Sequence, residues 1–210
     1  HLRTHPAMIR SLGMIKKACA MANHECGHLD DERTGYIIAA CDEIIQGKLD
    51  CWFITDVIQG GAGTSTNMNA NEVVANRAAQ LAGKALGVYD YIHPNDHVNF
   101  GQSTNDVFPT AGKLTALFLV EDLLEELMLL QEALLDKSIE FNDVIKLGRT
   151  HLQDAVPSTH GTGVHALRRQ LCVTFRRIKV AFSKFEIRKY GSNCCRIQAS
   201  IRMNATNASV

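Results

Sequence analysis

Three stretches of this chain hold small polar side chains between apolar helical segments, and each has residue types that could do chemistry. The first is Gly60-Gly61-Ala62-Gly63-Thr64-Ser65-Thr66-Asn67-Met68-Asn69. Glycines let a ligand approach the backbone closely. A helix that starts just after them presents free N–H groups to an anion. Thr64 and Ser65 add neutral donors. The same residues also fit a plain glycine turn with hydroxyl caps. No Lys follows the glycines in a GxxxxGK[ST] arrangement, which excludes a nucleotide P-loop.

The second stretch is His93-Pro94-Asn95-Asp96-His97-Val98-Asn99, followed by Gln102-Ser103-Thr104-Asn105-Asp106. His93 and His97 are four apart and could chelate a metal on a helix, but Pro94 and the turn residues argue against a helix there. Ser103, Thr104 and Asn105 fit an N-cap, which could also bind a carboxylate. The third stretch is Gly148-Arg149-Thr150-His151-Leu152-Gln153-Asp154. His151 could be a general acid or base, a ligand donor, or a satisfied structural histidine.

The elements that must position these residues are mainly helical. Ile9, Leu12, Ile15 and Ala18 recur about once per turn over residues 7–23, with Lys16 and Lys17 off that stripe. Asp30 and Asp31 can open a second helix with Ile37, Ala40, Cys41, Ile44 and Ile45 buried, and Gly47 can end it. Residues 54–71 read as irregular, and 72–81 as helical. Residues 83–106 read as a long ordered loop or a string of turns.

A long helix is expected over 109–139. Val120, Leu123, Leu124, Leu127, Leu130 and Leu134 line one face of it, and Glu121, Glu125, Glu132 and Asp136 the other. Such a length favours a bundle of long helices. Residues 146–157 break the period as a turn or short hairpin. The expected class is mainly α.

Composition narrows the function classes. Hydrophobic residues at 46% and charged ones at 21% are globular values. No apolar run of about 18 residues exists, which excludes a membrane-spanning helix. Seven cysteines, an odd count without a CxxC pair, argue for reduced thiols in a cytoplasmic protein. The chain opens on His1 without an apolar signal core, so a fragment or a processed start is expected.

The zero net charge hides an asymmetry. Residues 1–157 carry 12 basic and 21 acidic side chains, whereas 158–210 carry 10 basic ones and the single acid Glu186.

The segments GGAGTSTNMNANEVVANRA, HPNDHVNFGQSTNDVFPTA and KLGRTHLQDAVP, in that order, resemble the aspartase/fumarase superfamily. The resemblance runs from about residue 5 to Pro157. It implies an N-terminal helical domain over 1–105 and the start of a central long-helix domain over 106–157, with an anomalous basic tail over 158–210. In detail the chain is similar to the aspartate-acting ammonia-lyases. Class II fumarases typically read GSGTQSNMN where this chain has residues 61–69, and SSND where it has 103–106.

The resemblance implies reversible removal of ammonia from L-aspartate to give fumarate, by anti elimination through a dianionic enediolate. Donors aimed at the developing dianion would lower that barrier. Thr64, Ser103 and Thr104 match the family's carboxylate-binding donors, with Ser65 beside them. Asn105, Thr150 and His151 match its contacts to the amino group. His151 is thereby expected to bind and orient and not to act as the carbon base. No cofactor or metal is implied.

The family's base is a serine on a GSSxMPxKxNP loop that does not occur in this chain. Its YGxxTxRAxxNF opening does not occur either. An inactive internal fragment is therefore expected. The family assembles as a homotetramer in which three subunits build each site. The expected partner is the small-molecule substrate, with neither nucleic acid nor membrane.

After Pro157 the family has P-[IL]-T-[LM]-G-Q-E-F, and here STHGTGVHALRRQLCV stands instead. Synonymous codons for His160–His165, read one base later, encode Met-Gly-Gln-Glu-Phe. Codons for Lys189–Arg196, shifted alike, encode Asn-Met-Gly-Ala-Thr-Ala-Val. A one-base frame error near residue 158 is the expectation for this tail. Two alternatives remain beside the ammonia-lyase: a class II fumarase, and a non-catalytic helical fragment whose basic tail binds nucleic acid.

Overall fold

The computed structural model describes residues 2–58 and 61–185. It contains five α-helices and one hairpin. In chain order these are α1 (Pro6–Glu25), α2 (Asp31–Ile45), α3 (Thr64–Leu81), α4 (Thr104–Glu140), β1 (Ile145–Thr150), β2 (Gln153–Thr159) and α5 (His160–Phe185). A 3-10 turn at Asp50–Trp52 and a single π-helical turn at Pro94–Val98 lie between helices. The mainly helical class is as expected. The chain divides into two compact units, His1–Ala116 and Leu117–Arg188, with the division inside α4.

In the first unit local signals and burial agree. Pro6 opens α1, and the His5 imidazole accepts the Ala7 N–H at 3.2 Å. Asp30 caps α2 by accepting the Arg33 N–H at 2.8 Å, with Asp31 and Glu32 in the first turn against the helix dipole. Gly13 lets α1 approach α2, since a β-carbon there would lie 2.9 Å from Ile44 Cγ2. Ile9, Leu12, Ile15, Ile37, Ile44, Val74, Ile92, Val98 and Val107 form the core. Each large side chain so buried contributes about 1.5–3 kcal/mol. Arg77 of α3 grips Glu43 of α2 with Nε–Oε2 at 2.6 Å and Nη2–Oε1 at 2.7 Å.

Four expectations are corrected. Helix α3 begins at Thr64, not near residue 72. Ser, Thr and Asn favour turns because they bond the nearby backbone. Here Asn67 and Asn71 are buried on the inward face, with Nδ2 bonded to the Thr104 hydroxyl and the Met68 sulfur, beside the core residues Ala70, Val74 and Ala75 of the same helix. Helix α4 begins at Thr104 and takes Pro109 into its interior. The missing N–H of Pro109 is offset by burial of Val107 and Ala111 on either side.

Residues 94–98 form a helical turn where a loop was expected. Pro94 is its first residue, where no N–H is needed. Finally, Lys16 is fully buried, not off the apolar stripe of α1. It sits four residues after Leu12 and three before Cys19, on the inward face.

In the second unit, β1 and β2 pair antiparallel with a register break between Leu147 and Arg149. Helix α5 leads off β2, and the Thr159 hydroxyl accepts the Thr162 N–H at 3.1 Å. The part of the tail beyond residue 185 lies outside the described residues. Leu123, Met128, Leu129, Leu130 and Ile139 of α4 are exposed, as are Leu167, Val173 and Val180 of α5. Among the described residues no helix is long and apolar enough to cross a membrane.

Candidate active site

The starts of α3 and α4 meet in the first unit. Gly63 precedes α3 with φ 85°, in the left-handed region that favours glycine. A β-carbon on it would overlap the ring of Phe108, in the second turn of α4. Nothing larger than glycine fits there. Asn69 ties the preceding loop down: its Oδ1 accepts the Ile54 N–H at 3.0 Å, and its Nδ2 donates to the Trp52 carbonyl at 3.0 Å.

Gly63 at the cap position offers no side chain to α3, and no cap bond is found among the described residues. Its first-turn N–H groups have no intrahelical acceptors, so the positive end of the helix is presented at Thr64 and Ser65. Both residues are exposed.

Ser103 stands just before α4. Its hydroxyl accepts the Asn105 N–H at 3.3 Å, and its carbonyl accepts the Asp106 and Val107 N–H groups at 3.0 Å. It is the cap the sequence suggested. Ser103 and Asn105 are exposed, while Thr104 is half-buried. Asn67 connects the two helix starts, with its Nδ2 donating to the Thr104 hydroxyl oxygen at 3.1 Å. Thr64, Ser65, Ser103, Thr104 and Asn105 thus cluster around two adjoining helix N-termini. Two dipole ends and several neutral donors suit a carboxylate.

Sequence reasoning missed what holds this cluster from behind. The Lys16 ammonium donates to Asn99 Oδ1 and Gln102 Oε1, both at 2.8 Å. Asn67 Nδ2 also donates to Asn99 Oδ1 at 3.3 Å. Gln102 Nε2 donates to the Val98 carbonyl at 2.8 Å. The signal for Lys16 was its place on the inward face of α1. That for Asn67 and Asn71 was their spacing of four, in step with the apolar residues of α3.

The two histidines of the second stretch serve the local turn. His93 Nδ1 accepts the Asn95 and Asp96 N–H groups at 3.2 Å each, and His97 Nδ1 accepts the His93 N–H at 2.7 Å. Burial, helped by the Arg33 cation, holds His97 below the usual imidazole range and favours the neutral, accepting ring.

Thr150 and His151 belong to the second unit. Thr150 pairs with Gln153, so His151 and Leu152 are the two central residues of the hairpin turn. Their φ values are 49° and 62°. Positive φ at both positions is the type I′ pattern, which normally takes Asn-Gly. Here it holds a histidine and a leucine at about 1–2 kcal/mol each. Both side chains are exposed, Leu152 to 94%. Strain of this kind concentrates at functional positions.

A family model described as lyase matches residues 2–200. An aspartate ammonia-lyase of a Bacillus species is 52% identical over 176 residues, covering 84% of this chain and 38% of that protein. A class II fumarate hydratase of Halobacterium salinarum is 52% identical over 164 residues, covering 78% of this chain and 35% of its own length. The crystal structure of a fumarate lyase:delta crystallin from Brucella melitensis superposes with a TM-score of 0.85 at 44% identity. That match covers 94% of this chain and 45% of the other. The chain therefore spans less than half the length of these relatives. The family match extends beyond Pro157 into the tail. With the helical fold, the order of the motifs and these matches in agreement, the chain belongs to the lyase family and to its aspartase/fumarase superfamily.

Proposed function

We propose that the full-length protein is an aspartate ammonia-lyase, which removes ammonia from L-aspartate to give fumarate, reversibly. The observation that carries this reading is the convergence of the uncapped start of α3 with the hydroxyl-rich start of α4. Elimination from a carbon beside a carboxylate stalls on that carbon's weak acidity. Donors that strengthen their bonds as the carboxylate becomes a dianion lower the barrier. Thr64, Ser65, Ser103 and Thr104 supply hydroxyl donors, and the helix start behind each pair adds partial positive charge. Asn105, Thr150 and His151 bind the amino group. The proton-abstracting base comes from a loop outside these 210 residues, so this chain by itself is inactive. No cofactor or metal enters the scheme.

The exposed apolar residues of α4 and α5 support a homotetramer in which neighbouring copies cover them. The substrate is a small molecule, and neither nucleic acid nor membrane takes part. A reduced cytoplasmic setting agrees with the absence of a disulfide among the described cysteines.

The test is the absorbance of fumarate's conjugated double bond when full-length protein meets L-aspartate. Its growth with release of ammonia is the expected result. Hydration of fumarate to malate, with no reaction of aspartate, would establish the second reading, a class II fumarase. The 52% identity to the Halobacterium fumarate hydratase favours that alternative.

A further inference from the structure

Lys16 is fully buried, and its two hydrogen-bond partners are neutral amide oxygens. A cation in such a place costs several kcal/mol, and an apolar side chain of similar volume would often be more stable. Packing alone therefore does not explain it. The network it roots leads to the candidate site.

An ammonium donates and cannot accept. Asn99 and Gln102 must therefore turn their carbonyl oxygens toward Lys16. The amide groups left over are also engaged. Gln102 Nε2 donates to the Val98 carbonyl, and Asn99 Nδ2 donates to the Gln102 carbonyl at 3.3 Å. With Asn99 Oδ1 fixed as an acceptor, Asn67 must face it with its NH₂ group. Asn67 Oδ1 has no partner among the described residues, so the two bonds of Nδ2 set the amide's orientation. The second of those bonds ends on the Thr104 hydroxyl oxygen, which is thereby an acceptor on its inner side. No described protein group accepts the Thr104 proton. That proton is therefore available to a ligand at the helix-start cluster.

We propose that Lys16 is a positioning residue that acts through Asn99 and Asn67 to hold the Thr104 hydroxyl as a donor to the substrate. The proposal rests on the reading that Thr104 binds a substrate carboxylate. Burial lowers the Lys16 pKa to about 8, so the ammonium persists at neutral pH. The titratable groups that act on it electrostatically are Cys19 on α1 and Cys41 on α2, and burial raises the Cys41 thiol to about 12. Above pH 8 the amine gains a lone pair, and the rule that orients the amides is lost.

The test measures kcat and KM of the full-length protein for fumarate in ammonium buffer, where amination and hydration both register. Thr104→Val removes the donor and is expected to lower kcat/KM about 100-fold. Lys16→Met is expected to cost a similar factor. The double variant should be no worse than either single one, because both remove the same interaction. Independent, multiplying losses would overturn the proposal.

If Lys16→Met fails to fold by circular dichroism, Asn67→Asp takes its place. It keeps the shape but accepts the Thr104 proton and turns the hydroxyl inward. A loss of about 100-fold that does not multiply with Thr104→Val is expected. Wild-type kinetics in Asn67→Asp would overturn the positioning role alone. Wild-type kinetics in Thr104→Val would instead overturn the carboxylate reading on which it rests.

Discussion

The ring of Phe108 fills the space that a β-carbon on Gly63 would take. Two helix starts are thereby brought as close as one backbone and one aromatic ring allow. This contact, together with the Asn67–Thr104 hydrogen bond, registers the donors of α3 against those of α4.

Gly63→Ala should therefore damage both fold and site. Alanine is strained at φ 85° and would also collide with Phe108. The two effects together are expected to cost about 2–4 kcal/mol. The urea midpoint of unfolding should fall accordingly, with the m-value unchanged. An unshifted midpoint would show that the α3 start moves freely relative to α4.

Lys16 makes stability depend on alkaline pH with a definite sign. Its pKa is about 8 folded and about 10.4 unfolded, so the unfolded chain binds more protons between those values. The contribution of Lys16 should therefore rise with pH from about 8 to about 10.4, by roughly 3 kcal/mol, while Cys41, raised to about 12, works in the opposite sense above its ordinary thiol range. Lys16→Met should remove that rise. The comparison is made by denaturant unfolding of both proteins at several pH values. Parallel curves for the two proteins would contradict it.

The hairpin turn should show a trade between stability and function. Leu152→Gly relieves one left-handed residue and should stabilise by about 1 kcal/mol with little change in turnover. His151→Gly should stabilise similarly and abolish most activity, because the imidazole contact is lost. Thermal melts paired with kinetics of the full-length variants would check both. Full activity in His151→Gly would remove His151 from the site.

The proposed shift of reading frame for residues 158–210, which the family match as far as residue 200 does not favour, makes a prediction at the level of DNA. Sequencing across codons 155–165 should reveal a single-base discontinuity. Restoring it should replace the ten basic side chains and one acid of the tail by a different composition. An uninterrupted frame would make α5 a native element of the family fold.

Much was legible in the sequence because it is local. The spacing of Ile9, Leu12 and Ile15 implies a helix wherever the chain goes. Asp30 announces a cap, and the break in period after residue 145 announces a hairpin. The order of the three polar stretches identified the superfamily. Local chemistry misled wherever a tertiary partner supplied what the neighbours could not. Thr64–Asn71 looks like a turn by composition, yet it is the first part of a helix whose Ala70, Val74, Ala75 and Ala78 pack into the core. Pro109 looks like a helix start, yet it lies inside one because Val107 and Ala111 are packed around it. Lys16 looks like solvent-facing charge. Only the fold sets it against two amide oxygens that lie 83 and 86 residues away in sequence. The sequence determined which side chains could donate to an anion. The tertiary structure decided what the hydroxyl of Thr104 bonds to, because Asn67 and the buried cation behind it come from two other helices.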